Sequence, residues 1–150
     1  MLRLRYGSRS ILLPGDAEKQ VEREILSENG AEAMHSDILK IGYHGSTHST
    51  TPEFLAAVQP RFGILSAGED NPYGHPSPEL LERLENAGVR ILRTDRDGAV
   101  HVLTDGARLE ITCFVACPVW PTRQNQRWRR RQIASRTKRR NRKPTAACHS

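Results

Sequence analysis

Ile38-Leu39-Lys40-Ile41-Gly42-Tyr43-His44-Gly45-Ser46 decides how this chain is read. A short apolar run passes directly into a loop that holds a histidine between two glycines. A run this short, bounded by glycine, is a buried strand rather than a helix. The glycines let the backbone turn close to a ligand. Two other stretches have the same build. Ile11-Leu12-Leu13 runs into Pro14-Gly15-Asp16, and Ile64-Leu65 runs through Ser66-Ala67-Gly68 towards Asn71-Pro72-Tyr73-Gly74-His75-Pro76. Strand ends in layered folds commonly carry binding and catalytic side chains.

Working outward, helices separate these strands. Ala17 to Glu28 has a helical pattern, with Val21, Ile25 and Leu26 expected to face inward, Asp16 available as its cap and Gly30 after its end. Thr51-Pro52-Glu53 and Ser77-Pro78-Glu79 both begin helices, each with proline where its missing N–H costs nothing. Phe54, Leu55 and Val58 supply the apolar face of one, and Leu80, Leu81 and Leu84 that of the other, which Gly88 stops. Leu2–Tyr6 alternates as a half-buried strand and pairs with Ser10–Leu13 as a hairpin. Val89–Leu92 is a strand, Asp95–Gly98 a turn, and Ala99–Leu103 and Leu109–Phe114 are strands joined at Asp105-Gly106. Alternating strands and helices that close in a β-meander predict an α/β layer architecture.

Charge divides the chain in two. Residues 1–117 hold twelve Lys/Arg against all 17 Asp/Glu, whereas residues 118–150 hold eleven Lys/Arg and no acid. The body reads as a globular domain at 1–117. The stretch 118–150, with few apolar residues, reads as a disordered basic tail. Such a tail is either an unselected extension, such as a shifted reading frame leaves, or a binder of nucleic acid or anionic surfaces. Cys113, Cys117 and Cys148 are odd in number and lack framework spacing, which argues against a disulfide-stapled fold, and Cys113 and Cys117 read as buried or unreactive thiols. No apolar run reaches the ~18–20 residues that cross a bilayer, and no signal-peptide core is present. The chain as given therefore reads as soluble.

Asp16 and His44 are a hard-oxygen donor and an imidazole, the donor types that suit zinc. Each has a plainer reading, Asp16 as a helix cap and His44 as a loop histidine bonded to nearby backbone. His48 reads as solvent-facing, His75 as a residue that pins its turn, and His35 and His101 as uninvolved.

The motifs together go further. Leu-Leu-Pro-Gly-Asp-Ala-Glu (12–18), Leu-Lys-Ile-Gly-Tyr-His-Gly-Ser (39–46), Ser-Thr-Thr-Pro-Glu-Phe-Leu (49–55), Tyr-Gly-His-Pro-Ser-Pro-Glu (73–79) and Thr-Asp-Arg-Asp-Gly (94–98) occur in this order. Residues 2–114 thereby resemble the C-terminal part of the metallo-β-lactamase-like domain of the ComEC competence family, bacterial proteins that bring DNA across the inner membrane. The resemblance implies an αββα sandwich with a two-zinc site at one edge. It implies a metal-bridging role for Asp16 and a metal-ligand role for His44, with Tyr43 facing the substrate or leaving group and His75 either facing the substrate or supporting a ligand. The family has His-His-Gly-Ser where this chain has Tyr43-His44-Gly45-Ser46. A phenol at that position donates a hydrogen bond but does not titrate near neutrality.

The superfamily's His-x-His-x-Asp-His cluster belongs to the N-terminal half of the domain and does not occur in these 150 residues. A catalytic zinc takes three protein ligands and a water. The expectation is thus part of a metal-dependent phosphoester hydrolase, DNA-directed by resemblance, with zinc weak or absent and no activity alone. The expected partners are DNA and the N-terminal half of the domain, and the full-length family is membrane-associated. The contrasting expectation is a non-catalytic protein that binds nucleic acid or an anionic surface through its basic tail.

Overall fold

The computed structural model of the chain describes residues 1–115 and 117. The basic stretch 118–150, expected above to be a disordered tail, lies outside the described residues.

Among the described residues, seven strands and four α-helices form, with helices separating β2 to β5 as the apolar pattern requires. They are β1 (Leu2–Tyr6), β2 (Arg9–Leu13), α1 (Lys19–Asn29), β3 (Ile38–Lys40), α2 (Pro52–Val58), β4 (Phe62–Leu65), α3 (Pro78–Asn86), β5 (Arg90–Arg93), the single turn α4 (Thr94–Asp97), β6 (Val100–Thr104) and β7 (Leu109–Cys113). The first five strands form one sheet in the order β1-β2-β3-β4-β5. β1 is antiparallel to β2, and β2 to β5 run parallel. Among the described residues β6 and β7 pair only with each other, so the expected meander is a separate hairpin. The chain is thus mixed α/β.

Because β2, β3, β4 and β5 are parallel neighbours in chain order, right-handed crossovers place their connecting helices on one face of the sheet. The pairing register defines that face. Leu12, Leu39, Gly63 and Ile91 stand in one row across it. Leu12 and Leu39 are buried there against Phe54, Leu55 and Val58 of α2 and Leu80 and Leu84 of α3, with Ile25 and Leu26 of α1 packed alongside. The opposite row is Leu4, Ile11, Ile38 and Phe62. Its edge is open: Leu2, Leu4 and Tyr6 are 54, 49 and 63% exposed. β1 is therefore an exposed strand rather than the half-buried one its alternation predicts.

Both proline-led helices are capped as expected. The Thr51 hydroxyl accepts from the Phe54 N–H, and the Ser77 hydroxyl from the Leu80 N–H. The first helix differs. It begins at Lys19 with Glu18 at the cap position and no side-chain cap bond, so Asp16 is not its cap. Ile25 and Leu26 face inward as expected, but Val21 is exposed and Glu22 is fully buried in its stead. The β6–β7 turn docks on the β1–β2 turn, where the Ser8 N–H donates to the Gly106 carbonyl at 2.7 Å and the Arg9 guanidinium to the Ala107 carbonyl. Cys113 and Cys117, read from sequence as thiols, are paired as a disulfide with Cα atoms 5.0 Å apart.

Candidate functional site

Parallel strands bring their C-terminal ends to one edge of the sheet, and the loops after β2, β3 and β4 open there together. Asp16 follows β2, Tyr43 and His44 follow β3, and His75 lies in the long loop after β4. Hydrogen bonds join these loops. The Tyr43 N–H donates to the Gly15 carbonyl at 3.1 Å, and the Ser77 N–H donates to the Gly45 carbonyl at 2.9 Å. The three loops therefore lie together at one edge of the sheet. Asp16 and His44 are exposed, and His75 is half-buried.

The turn at His44 is costly locally. Tyr43 and His44 have φ of 45° and 51°, both left-handed, a conformation that side chains with a Cβ adopt rarely. Gly45 follows at φ 94°, and a Cβ there would meet Leu65 Cδ2 and Pro76 Cβ at 2.9 Å. Glycine alone lets the His44 loop lie this close to the β4 end and to the His75 loop. Such strain persists when surrounding contacts over-determine it. Here Ser46 N–H bonds the Tyr43 carbonyl at 3.0 Å, and Ser49 Oγ donates to the Gly42 carbonyl at 2.8 Å.

The ring of His44 is oriented by backbone. Its Nδ1 lies 2.9 Å from the Ser66 carbonyl oxygen, just past β4. A carbonyl can only accept, so Nδ1 carries the proton in this contact, and in the neutral ring Nε2 is then the nitrogen with the lone pair. A histidine that binds a metal through one nitrogen usually donates its other N–H to such a group. The plainer reading, a loop histidine bonded to nearby backbone, describes the same contact and leaves Nε2 open.

Asp16 stands beside Lys40. Burial lowers the Lys40 ammonium below its ordinary value, and the Asp16 carboxylate works against that shift. No hydrogen bond engages the Asp16 carboxylate among the described residues. His75 is held by its own backbone: Asn71 accepts from the His75 N–H at 3.0 Å and donates to its carbonyl at 2.6 Å. The ring lies 6.3 Å from that of Tyr43 and 6.1 Å from that of Tyr73. Its Nδ1 is buried without a hydrogen-bond partner among the described residues.

The donors suit zinc in kind, a carboxylate oxygen and an imidazole nitrogen fixed from behind. They fall short in number. Among the described residues, no group of three or more His, Cys, Asp or Glu is placed to hold a metal. The residues present thus fit part of a zinc site. The groove of about 710 Å³ between α2 and α3, lined by Leu55, Gln59, Glu82 and Arg83, includes none of Asp16, Tyr43, His44 or His75.

Two supporting residues escaped the sequence reading. Glu22 accepts from the backbone N–H groups of Thr50 and Thr51, the latter at 2.8 Å, and so holds the segment that ends the His44 loop. Its signal was a carboxylate at an inward helical position. Thr94 bonds both the N–H and the carbonyl of Ala67 through its hydroxyl. Its partner lies 27 residues away in sequence, and the Thr-Asp-Arg-Asp-Gly motif that contains it does not reveal that contact.

No family model matches the chain. It is 40% identical over 101 residues to ComE operon protein 3 of Bacillus subtilis, 34% over 101 residues to Competence protein ComA of Neisseria gonorrhoeae, and 36% over 105 residues to Recombination protein 2 of Haemophilus influenzae. These relatives support a competence-related family. The matches cover 67 to 70% of this chain and 13 to 14% of the relatives, so the chain corresponds to a small part of each. Among the described residues, no helix is long and apolar enough to cross a membrane.

Proposed function

We propose that this chain forms part of a metal-dependent phosphoester hydrolase domain of metallo-β-lactamase type that acts on DNA in competence. The observation that carries the reading is the His44 ring, backed by the Ser66 carbonyl with Nε2 left open, on a loop bonded to the loop of Asp16. The names of the relatives support the competence setting. The open apolar edge at Leu2, Leu4 and Tyr6 supports a second layer of the same domain packing on that face, as a sandwich requires.

In this reading Asp16 and His44 would contribute to holding zinc, which would supply Lewis-acid activation of water and of a phosphoryl oxygen. Asp16 gives the anionic oxygen donor, and His44 gives Nε2 with its tautomer already set. Tyr43, exposed at the same turn, donates a phenolic hydrogen bond to a substrate oxygen. His75 faces the substrate from the neighbouring loop. Two donors are too few for a catalytic zinc, so the 150-residue chain by itself is inactive, and the remaining ligands come from the other half of the domain.

The test joins the chain to the stretch that precedes the matched segment in ComE operon protein 3 and assays zinc-dependent cleavage of a DNA phosphodiester. Cleavage by the joined protein, its loss in Asp16→Ala, and silence of the chain alone are expected. A joined protein that binds zinc at full occupancy yet is unaffected by Asp16→Ala and His44→Ala contradicts the assignment.

A second reading rests on charge alone. Eleven Lys/Arg without one acid in residues 118–150, with Trp128 among the arginines, suit phosphate contacts and base stacking. Removal of that stretch should then abolish nucleic-acid binding and its salt dependence while leaving zinc binding unchanged.

A further inference from the structure

We infer that Thr94 is a positioning residue for His44, acting through the Ser66-Ala67 turn. This rests on His44 being a metal ligand, although the link from Thr94 to His44 stands on geometry that needs no metal. The Thr94 hydroxyl donates to the Ala67 carbonyl at 2.8 Å and accepts from the Ala67 N–H at 3.0 Å. One side chain thus fixes both polar groups of the residue next to Ser66. The Ser66 carbonyl, in turn, takes the His44 Nδ1–H at 2.9 Å. The orientation of the Ser66 carbonyl depends on the peptide plane it shares with the Ala67 N–H, because the peptide unit is rigid and planar. The Thr94 oxygen that accepts from Ala67 therefore sets the plane that aims the acceptor at His44.

Thr94 is itself held firmly. The neighbouring Arg93 N–H donates to an Asp97 carboxylate oxygen at 2.8 Å, and the Arg93 guanidinium pairs with Asp95 through two nitrogens. The Val115 N–H bonds the Asp97 carbonyl at 3.0 Å. The Thr-Asp-Arg-Asp-Gly stretch thus works as a brace across the ends of β4 and β5. It reaches the site without touching it, and a supporting group of this kind usually tunes a metal ligand through orientation and tautomer.

The experiment compares Thr94→Val, which keeps shape but loses the hydroxyl, with Thr94→Ser, which keeps the hydroxyl. Both are made in the full 150-residue chain. The first readout, taken without metal, is the pair of ring-nitrogen resonances of His44. The wild type and Thr94→Ser should show the Nδ1-protonated tautomer, and Thr94→Val should show a mixture. The second readout is zinc affinity by titration, expected to fall up to about 10-fold in Thr94→Val and to recover in Thr94→Ser. Val58→Ala in the core of α2 serves as the control for lost stability and should leave the His44 resonances in place. Identical His44 resonances in wild type and Thr94→Val overturn the inference, as does an equal change in Val58→Ala. A zinc titration insensitive to His44→Ala overturns the metal reading, and the resonances still decide the role of Thr94.

Discussion

His44 Nδ1 lies 2.9 Å from the carbonyl oxygen of Ser66, and that contact converts a strained loop residue into an oriented nitrogen donor. The loop after β3 supplies the ring, and the end of β4 supplies the acceptor. The parallel pairing of β3 with β4 puts both at the same edge. The loop is held from two further directions, by Gly15 and by the segment 49–51.

Glu22→Ala should lower unfolding stability by roughly 2–4 kcal/mol, because it strands the buried N–H of Thr50 and leaves that of Thr51 unpaired. Glu22 is fully buried, and both of its oxygens accept from that segment. Urea denaturation followed by circular dichroism measures the loss. A change within about 0.5 kcal/mol, the usual range for a surface substitution, would show that the carboxylate is not a fixed part of the core.

Gly45→Ala should be destabilising by about 2–3 kcal/mol and should displace the His44 loop. It combines a left-handed backbone with a close contact on two sides. Thermal unfolding reads the first effect, and the resonances of the His44 ring read the second. Gly74→Ala is the matched comparison, since Gly74 also has positive φ but a Cβ there meets nothing within 4 Å. It should cost less than Gly45→Ala.

Asp95 makes stability depend on acid. Its side-chain hydrogen bond with Arg93 holds the carboxyl below its ordinary value of 3.8. Because the folded value is the lower one, the unfolded chain binds more protons in that range. The contribution is present above pH 3.8 and is lost as pH falls through the folded value. Asp95→Asn should therefore cost about 1 kcal/mol at neutral pH, and the gap to wild type should close in acid. Stability curves at several pH values check this, and a gap that persists unchanged in strong acid contradicts it.

Much of the scaffold was legible because its signals are local. The apolar runs of β2 to β5 and the Thr51-Pro52 and Ser77-Pro78 helix starts depend on a few adjacent residues. The convergence of the Asp16, His44 and His75 loops followed from three strands of like build lying parallel. Other features depended on distant partners. Val21 and Glu22 exchanged their expected places because Glu22 finds two N–H donors 28 and 29 residues away. β1 alternates like a half-buried strand, yet lies at the edge of the sheet with its leucines open. The role of Thr94 required knowing that β4 and β5 are neighbours. The motif that located His44 did not reveal what orients it.

The most direct test of the central claim is a zinc titration of the 150-residue chain beside Asp16→Ala and His44→Ala, followed by metal analysis after dialysis. Weak uptake by the wild type is expected, reduced by either substitution, with less than one zinc per chain retained after dialysis. Full retention of zinc by all three proteins, or uptake that ignores both substitutions, contradicts the claim.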